Sequence, residues 1–183
     1  MSEEQLINDI KNNPDLFGLV YDEHYNKIFN YCYKRTKDFN ASKDITSETF
    51  LKALLNIKKF KWKGVSLLSW LYRIATNEIN LHYRSKKYRP SLLNEIDGSC
   101  TIMSRNEDLL KEKETAEQEL EKHEEFIKVQ KSVGKLAIKY QEVITLKYFE
   151  KLKIKEISSI LNKPEGTIKS LLSRGIYFLK QQL

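Results

Sequence analysis

Apolar positions recur three and four residues apart through most of this chain, and that spacing predicts helices rather than strands. Over residues 14–37 the positions Phe17, Val20, Tyr21, Tyr25, Ile28, Phe29 and Cys32 form one broad stripe. A short helix over about 3–11 precedes it, capped by Ser2 and ended by Asn12-Asn13-Pro14. Asp38-Phe39-Asn40 reads as a break, after which residues 41–57 place Ile45, Phe50, Leu54 and Ile57 inward. From Ser66, a plausible N-cap, a helix runs to about Lys87, with Trp70, Leu71, Ile74 and Ala75 as core. Residues 88–114 hold Pro90 and Gly98 and keep no period, which is the pattern of a flexible linker. Helical order resumes at Thr115-Ala-Glu-Gln118, a capping-box pattern, and Gly134 stops it. Further helices are expected over about 138–149, 153–161 and 165–181. The fold class is therefore all-α, with two small helical domains and a linker: 1–88, 89–114 and 115–183.

The last two helices have the arithmetic of a helix-turn-helix. Ile154, Ile157 and Leu161 line a short first helix, and Asn162 suits the left-handed position of a tight turn. Pro164-Glu165 opens the second helix, where Ile168, Leu172, Ile176 and Leu179 face inward. That leaves Glu165, Gly166, Thr167, Lys169, Ser170, Ser173 and Arg174 on the other side. Short hydroxyls, a glycine and two cations at a helix start suit phosphate and base edges. The plainer alternative is a solvated helix of an ordinary bundle.

Charge sharpens this picture. Residues 1–90 carry 16 Lys/Arg against 10 Asp/Glu, residues 91–124 carry 4 against 10, and residues 125–183 carry 12 against 5. Two basic modules thus flank an acidic connector, and two basic modules favour a polyanionic partner. The stretch 58–64 interleaves Lys58, Lys59, Lys61 and Lys63 with Phe60 and Trp62. Such a loop can hold phosphates while its rings stack on unpaired bases, or its rings can tuck into the bundle. The helix after it sets Arg73, Thr76, Asn77, Asn80, Arg84 and Lys87 on a polar stripe that also begins with Ser69.

Other classes find little support. No apolar run nears the roughly 20 residues of a membrane span, and the acidic start is no signal peptide. Cys32 and Cys100 lack a CxxC context, which suits free thiols in a reducing cytoplasm. His24, His82 and His123 lie far apart and are expected to be exposed or locally bonded. There is no catalytic constellation, metal-ligand spacing or phosphate-cradling glycine loop, so no enzyme activity, metal, cofactor or small-molecule substrate is expected.

EGTIKSLLSRG resembles the GTVKSRLSRA core of region four in bacterial RNA polymerase sigma factors of the extracytoplasmic-function (ECF) group. KYQEVITLKYFEKLKIKEISSIL resembles the earlier helices of that region. SKDITSETFLKAL is similar to the family's AEDLTQETFLRAW, and SLLSWLYRIATNEINLHYRSKK to its SFRAWLYRIARNLALDHLRRRR. The resemblance covers roughly residues 14–88 and 118–181, with both modules in the family's order. It implies a cytoplasmic factor that binds core RNA polymerase, reads a duplex upstream element with its C-terminal helix-turn-helix, and helps melt a downstream element with its N-terminal bundle. It also implies that Asp44, Ser47, Glu48, Leu51 and Leu55 dock on the polymerase clamp, and leaves room for an anti-sigma protein as a further partner. Departures are local: Ser47 replaces a glutamine, Leu54 a tryptophan, Ser158 an alanine and Leu171 an arginine. Lys151 and Lys153 stand where the family has glycine and serine. The rival reading is an autonomous helix-turn-helix regulator with a helical N-terminal domain.

Overall fold

A computed structural model describes residues 2–60, 66–88 and 128–183 of the chain, the side chains of 86–88 excepted. Lys61, Trp62, Lys63, the Lys87 side chain, Cys100, His123, the 89–114 linker and the capping box at Thr115 lie outside the described residues. The elements are α1 (Glu3–Asn12), α2 (Phe17–Thr36), α3 (Phe39–Asn56), α4 (Leu67–Tyr88), α5 (128–135), α6 (Ile138–Ile144), α7 (Ile154–Leu161) and α8 (Glu165–Lys180). Every described element is helical.

Local chemistry explains the boundaries. The Ser2 hydroxyl accepts from the Gln5 amide at 3.2 Å while the Gln5 side chain accepts from the Ser2 amide at 3.1 Å, a reciprocal cap. Ser66 caps α4 by accepting from the Ser69 amide at 3.1 Å. Glu3 reaches across from α1 to accept from Leu67 N at 2.5 Å, so α1 braces the start of α4. The expected break at residues 38–40 is narrower than the sequence suggests. Lys37 alone turns left-handed (φ 57°), and Asp38 caps α3 by accepting from the Ala41 amide at 3.0 Å. Phe39 and Asn40 are therefore already helical.

Helices α2, α3 and α4 pack pairwise into a bundle around Ile28, Tyr31, Cys32, Phe50, Ala53, Leu71, Ala75 and Ile79. In the C-terminal module, α6 and α7 both pack on α8. Gly175 permits that approach: a Cβ there would lie 3.0 Å from Ile144 Cδ1 and 3.3 Å from Tyr140 Cβ. The two modules also touch each other, α4 against α7 and α2 against the wide π-helical turn Thr145–Phe149 that ends α6.

Two side chains depart from their expected setting or confirm it. Cys32 is a free, fully buried thiol, and burial pushes its pKa up to about 12. His24 is buried rather than exposed, and its Nδ1 has no hydrogen-bond partner among the described residues. Burial holds its pKa below the ordinary 6.5, partly opposed by Glu23. The unfolded chain then binds the proton first, so stability is full above pH 6.5 and is lost as pH falls through that value. Urea unfolding from pH 7 to about pH 5 should show this slope, and His24→Gln should remove up to about 1.4 kcal/mol per pH unit of it.

Candidate functional site

The helix-turn-helix forms with the spacing read from the sequence. Asn162 takes φ 51°, and α8 begins at Glu165 with no side chain capping its first turn. Ile168 and Leu172 are buried, while Ile176 and Leu179 are half-buried. Glu165, Gly166, Thr167, Lys169, Ser170, Ser173 and Arg174 are all exposed, so one open face collects the hydroxyls, both cations and the free amides. Lys163, exposed in the turn beside this face, extends it and was not among the expected residues. The Ser170 hydroxyl donates to the Gly166 carbonyl at 3.0 Å, which leaves its lone pairs free to accept.

Before α7 the chain solves a harder local problem. Lys151 adopts φ 56°, a region that favours glycine, and the Lys153 amide donates to Glu156 at 2.7 Å. Glu156 thus supplies from inside α7 half of the cap that the residue at its start lacks.

On α3, Asp44, Ser47, Leu51 and Leu55 are exposed and Glu48 is half-exposed, all on the side away from Ile45, Phe50 and Ala53. Leu51 and Leu55 show 50% and 69% of their surface, which nothing in the helix requires. Lys52 bridges Glu48 (3.3 Å) and Glu78 of α4 (2.7 Å), fixing two carboxylates beside the leucines.

The polar stripe of α4 is divided. Arg73, Asn77 and Arg84 are exposed. Thr76 is buried at 3%, its hydroxyl bonded to the Tyr31 hydroxyl and the Tyr72 carbonyl, each at 2.8 Å. In this arrangement Thr76 is an interior residue and meets no partner. Asn80 is half-buried and donates to Glu142 Oε1 at 2.9 Å. Lys58 and Lys59 are exposed, and Phe60 packs tilted against Trp70, ring centroids 4.6 Å apart and planes 37° apart. Both rings line a cleft of about 560 Å³ together with Lys59, Arg73, Asn77 and, from α7, Ser159. An aromatic floor with cationic and amide walls, whose carboxylate Glu78 is neutralised by Lys52, can stack a flat ring and bond its edges.

Between the modules lies a polar network that the sequence reading missed. Glu150 accepts from Lys34 Nζ at 2.9 Å and from the Tyr72 hydroxyl at 2.7 Å. The Arg35 side chain is 1% exposed; its Nη1 donates to the Tyr31 hydroxyl at 3.2 Å and its Nη2 lies 4.0 Å from Glu142. The Tyr83 hydroxyl donates to the Arg35 carbonyl. Burial, with the Glu150 charge beside it, keeps the Tyr72 phenol protonated far above its usual range. The only signal in sequence was two carboxylates, Glu142 and Glu150, inside an otherwise apolar and basic stretch.

Among the described residues no group of three or more His, Cys, Asp and Glu could hold a metal, and no helix is long and apolar enough to cross a membrane. Residues 20–89 match sigma-70 region 2 and residues 126–179 match sigma-70, region 4. The ECF RNA polymerase sigma factor SigW of Bacillus subtilis (strain 168) is 34% identical over 177 residues, covering 94% of this chain and 91% of SigW. RNA polymerase sigma factor YlaC of the same organism is 30% identical over 166 residues, 90% of each chain. In fold, the chain is similar to CnrH as solved with the cytosolic domain of CnrY, with a TM-score of 0.67 and 18% identity over 98% of this chain and 95% of that one.

Proposed function

The chain belongs to the ECF group of RNA polymerase sigma factors, and from that premise we propose which of its faces carry the work. As a sigma factor it binds core RNA polymerase and directs promoter recognition and transcription initiation. The open face of α8, from Glu165 to Arg174, reads the duplex upstream element, and its exposed donor cluster is the observation that carries the proposal. The Asp44, Ser47, Glu48, Leu51 and Leu55 face of α3 docks on the polymerase, with carboxylates around an apolar centre. Lys59, Phe60, Arg73 and Asn77 receive the melted downstream strand at the cleft beside α4, and the exposed Lys58 and Arg84 hold it outside the cleft. Asn80 joins them only if Glu142 of the C-terminal module lets go of it, and Thr76, bonded to Tyr31 and Tyr72 inside the N-terminal bundle, does not. The factor works in the cytoplasm, where polymerase and DNA are, and its catalytic chemistry belongs to the polymerase.

The test is transcription by reconstituted polymerase on two templates, a closed promoter duplex and the same promoter with a pre-melted bubble. Asn77→Ala and Phe60→Ala should lower opening of the duplex, read by permanganate reactivity, by roughly tenfold or more, since a stacked or hydrogen-bonded base is worth about 1–3 kcal/mol. The bubble should restore most of the Asn77→Ala activity. Equal defects on both templates would remove the cleft from promoter opening.

A further inference from the structure

We propose that Glu3 is a positioning residue for promoter opening, through which α1 holds the Phe60–Trp70 floor of the cleft in register. The proposal rests on the role assigned to the cleft above and adds to it a residue from outside the cleft. The two rings of the floor come from different segments. Phe60 follows the turn Ile57–Lys59, its amide donating to the Ile57 carbonyl at 3.1 Å. Trp70 closes the first turn of α4, its amide donating to the Ser66 carbonyl at 3.1 Å. With ring centroids only 4.6 Å apart, a small shift of either segment changes the surface that a base would meet.

Helix α1 grips both segments. It packs on the Ile57–Lys59 turn, where Ile7, Ile10 and Ile57 are all fully buried in one core. From its first turn the half-buried Glu3 accepts a hydrogen bond from the Leu67 amide at 2.5 Å. The first amides of a helix have no partner within it, and a carboxylate there also meets the positive end of the helix dipole. Ser66 takes the Ser69 amide, so Glu3 supplies from another helix a cap that the residue at the start of α4 leaves open. The reciprocal Ser2–Gln5 cap in turn fixes the part of α1 that carries Glu3.

Apolar packing is non-directional, whereas a charge-assisted hydrogen bond fixes both distance and angle. Glu3 therefore sets where α4, with Ser69 and Trp70, begins relative to the turn that presents Phe60. It is not among the residues that line the cleft, and it acts through those it holds.

The test uses polymerase reconstituted with full-length Glu3→Ala, Glu3→Gln, Phe60→Ala and Glu3→Ala/Phe60→Ala factors, at a temperature where each melting curve shows a folded factor. Glu3→Ala should lower duplex opening, read by permanganate reactivity, by about fivefold. Its polymerase affinity should stay within about twofold of the parent, and the pre-melted bubble should restore most of its activity. Glu3→Gln keeps the acceptor and should open within about twofold of the parent. In the double variant Glu3→Ala should add less than about twofold to the Phe60→Ala defect, because the floor it acts through is already gone. Asp38→Ala removes the cap of α3, a loss of similar kind away from the cleft, and should leave opening within about twofold of the parent. Parent-like opening by Glu3→Ala, an equal defect in Glu3→Gln, defects that multiply in the double variant, or the same defect in Asp38→Ala would each overturn the positioning role. Parent-like opening by Phe60→Ala would instead remove the cleft, and Glu3 with it, from opening. Whether Glu3 holds the floor is then read from acrylamide quenching of Trp70 in a Trp62→Phe background, where it is the one remaining tryptophan. Quenching should about double in Glu3→Ala, and an unchanged value would mean that Glu3 does not hold the floor.

Discussion

Asp44→Arg combined with Leu51→Asp is expected to abolish retention by core polymerase while leaving the fold intact. Both positions are exposed, and Leu51 shows half its surface to solvent. The opposite face of α3 buries Ile45, Thr49, Phe50 and Ala53, and neither substitution touches it. A surface change of this kind alters stability by about 0.5 kcal/mol or less. At a docked interface the same pair places a cation where a carboxylate was read and a charge where an apolar contact was. Losses of about 2 kcal/mol at each site, roughly a thousandfold together in Kd, are the ordinary size for central interface residues. Titration of labelled factor with core polymerase should show this loss with an unchanged helical spectrum and melting temperature. Wild-type affinity in the double variant would move the docking face off α3.

What the sequence made legible was local. Caps at Ser2 and Ser66, the left-handed turn at Asn162 and the two faces of α8 each depend on residues within four positions of one another. Helical geometry alone joins such groups, so spacing suffices to find them. The misreading at residues 38–40 was local too. Three residues of low helix propensity looked like a break, but Asp38 is better used as a cap, and one left-handed residue, Lys37, makes the turn.

What stayed illegible depends on partners far along the chain. Thr76 falls on the polar stripe of α4 by periodicity, yet Tyr31, 45 positions away, satisfies its hydroxyl in the interior. Asn80 looks like a base reader until Glu142, 62 positions on, accepts a hydrogen bond from its amide. Arg35 sits near the end of a basic helix and would pass for a solvated cation, but it is buried between the modules. Hydrophobic periodicity reports which side of a helix faces inward; it carries no information about which polar groups meet there. The candidate α8 and α3 faces are open surfaces and were therefore readable in advance, whereas the α4 face is divided by a contact that only the packed chain reveals.

The largest effect on the C-terminal module should come from Ile168→Asp. Ile168 is fully buried beneath the exposed face of α8 in an apolar cluster with Ile157, Ile160 and Leu172, so a carboxylate there is stripped of water among hydrocarbon side chains. Removing the apolar contact and burying a charge together exceed about 4 kcal/mol, a large share of the stability of so small a module. The module should unfold, read as lost helical signal and a lost C-terminal melting transition, and upstream-element binding should vanish with it. One turn of side chains away the outcome is different in kind. Lys169→Ala, Ser173→Ala and Arg174→Ala alter exposed positions and should leave the melting curve unchanged. Arg174→Ala is expected to act as a lost phosphate contact, weakening all sequences alike and reducing the salt slope by about one unit. Lys169→Ala is expected to act on a base, relaxing preference at one position by about 1–3 kcal/mol. Ser170→Ala should do less, because that hydroxyl already donates to Gly166 and offers DNA only an acceptor. Selection from a randomised upstream-element library at two salt concentrations separates these outcomes. If the four alanine variants select the parent's sequence with the parent's salt slope, the open face of α8 does not read DNA, however well its donors are placed.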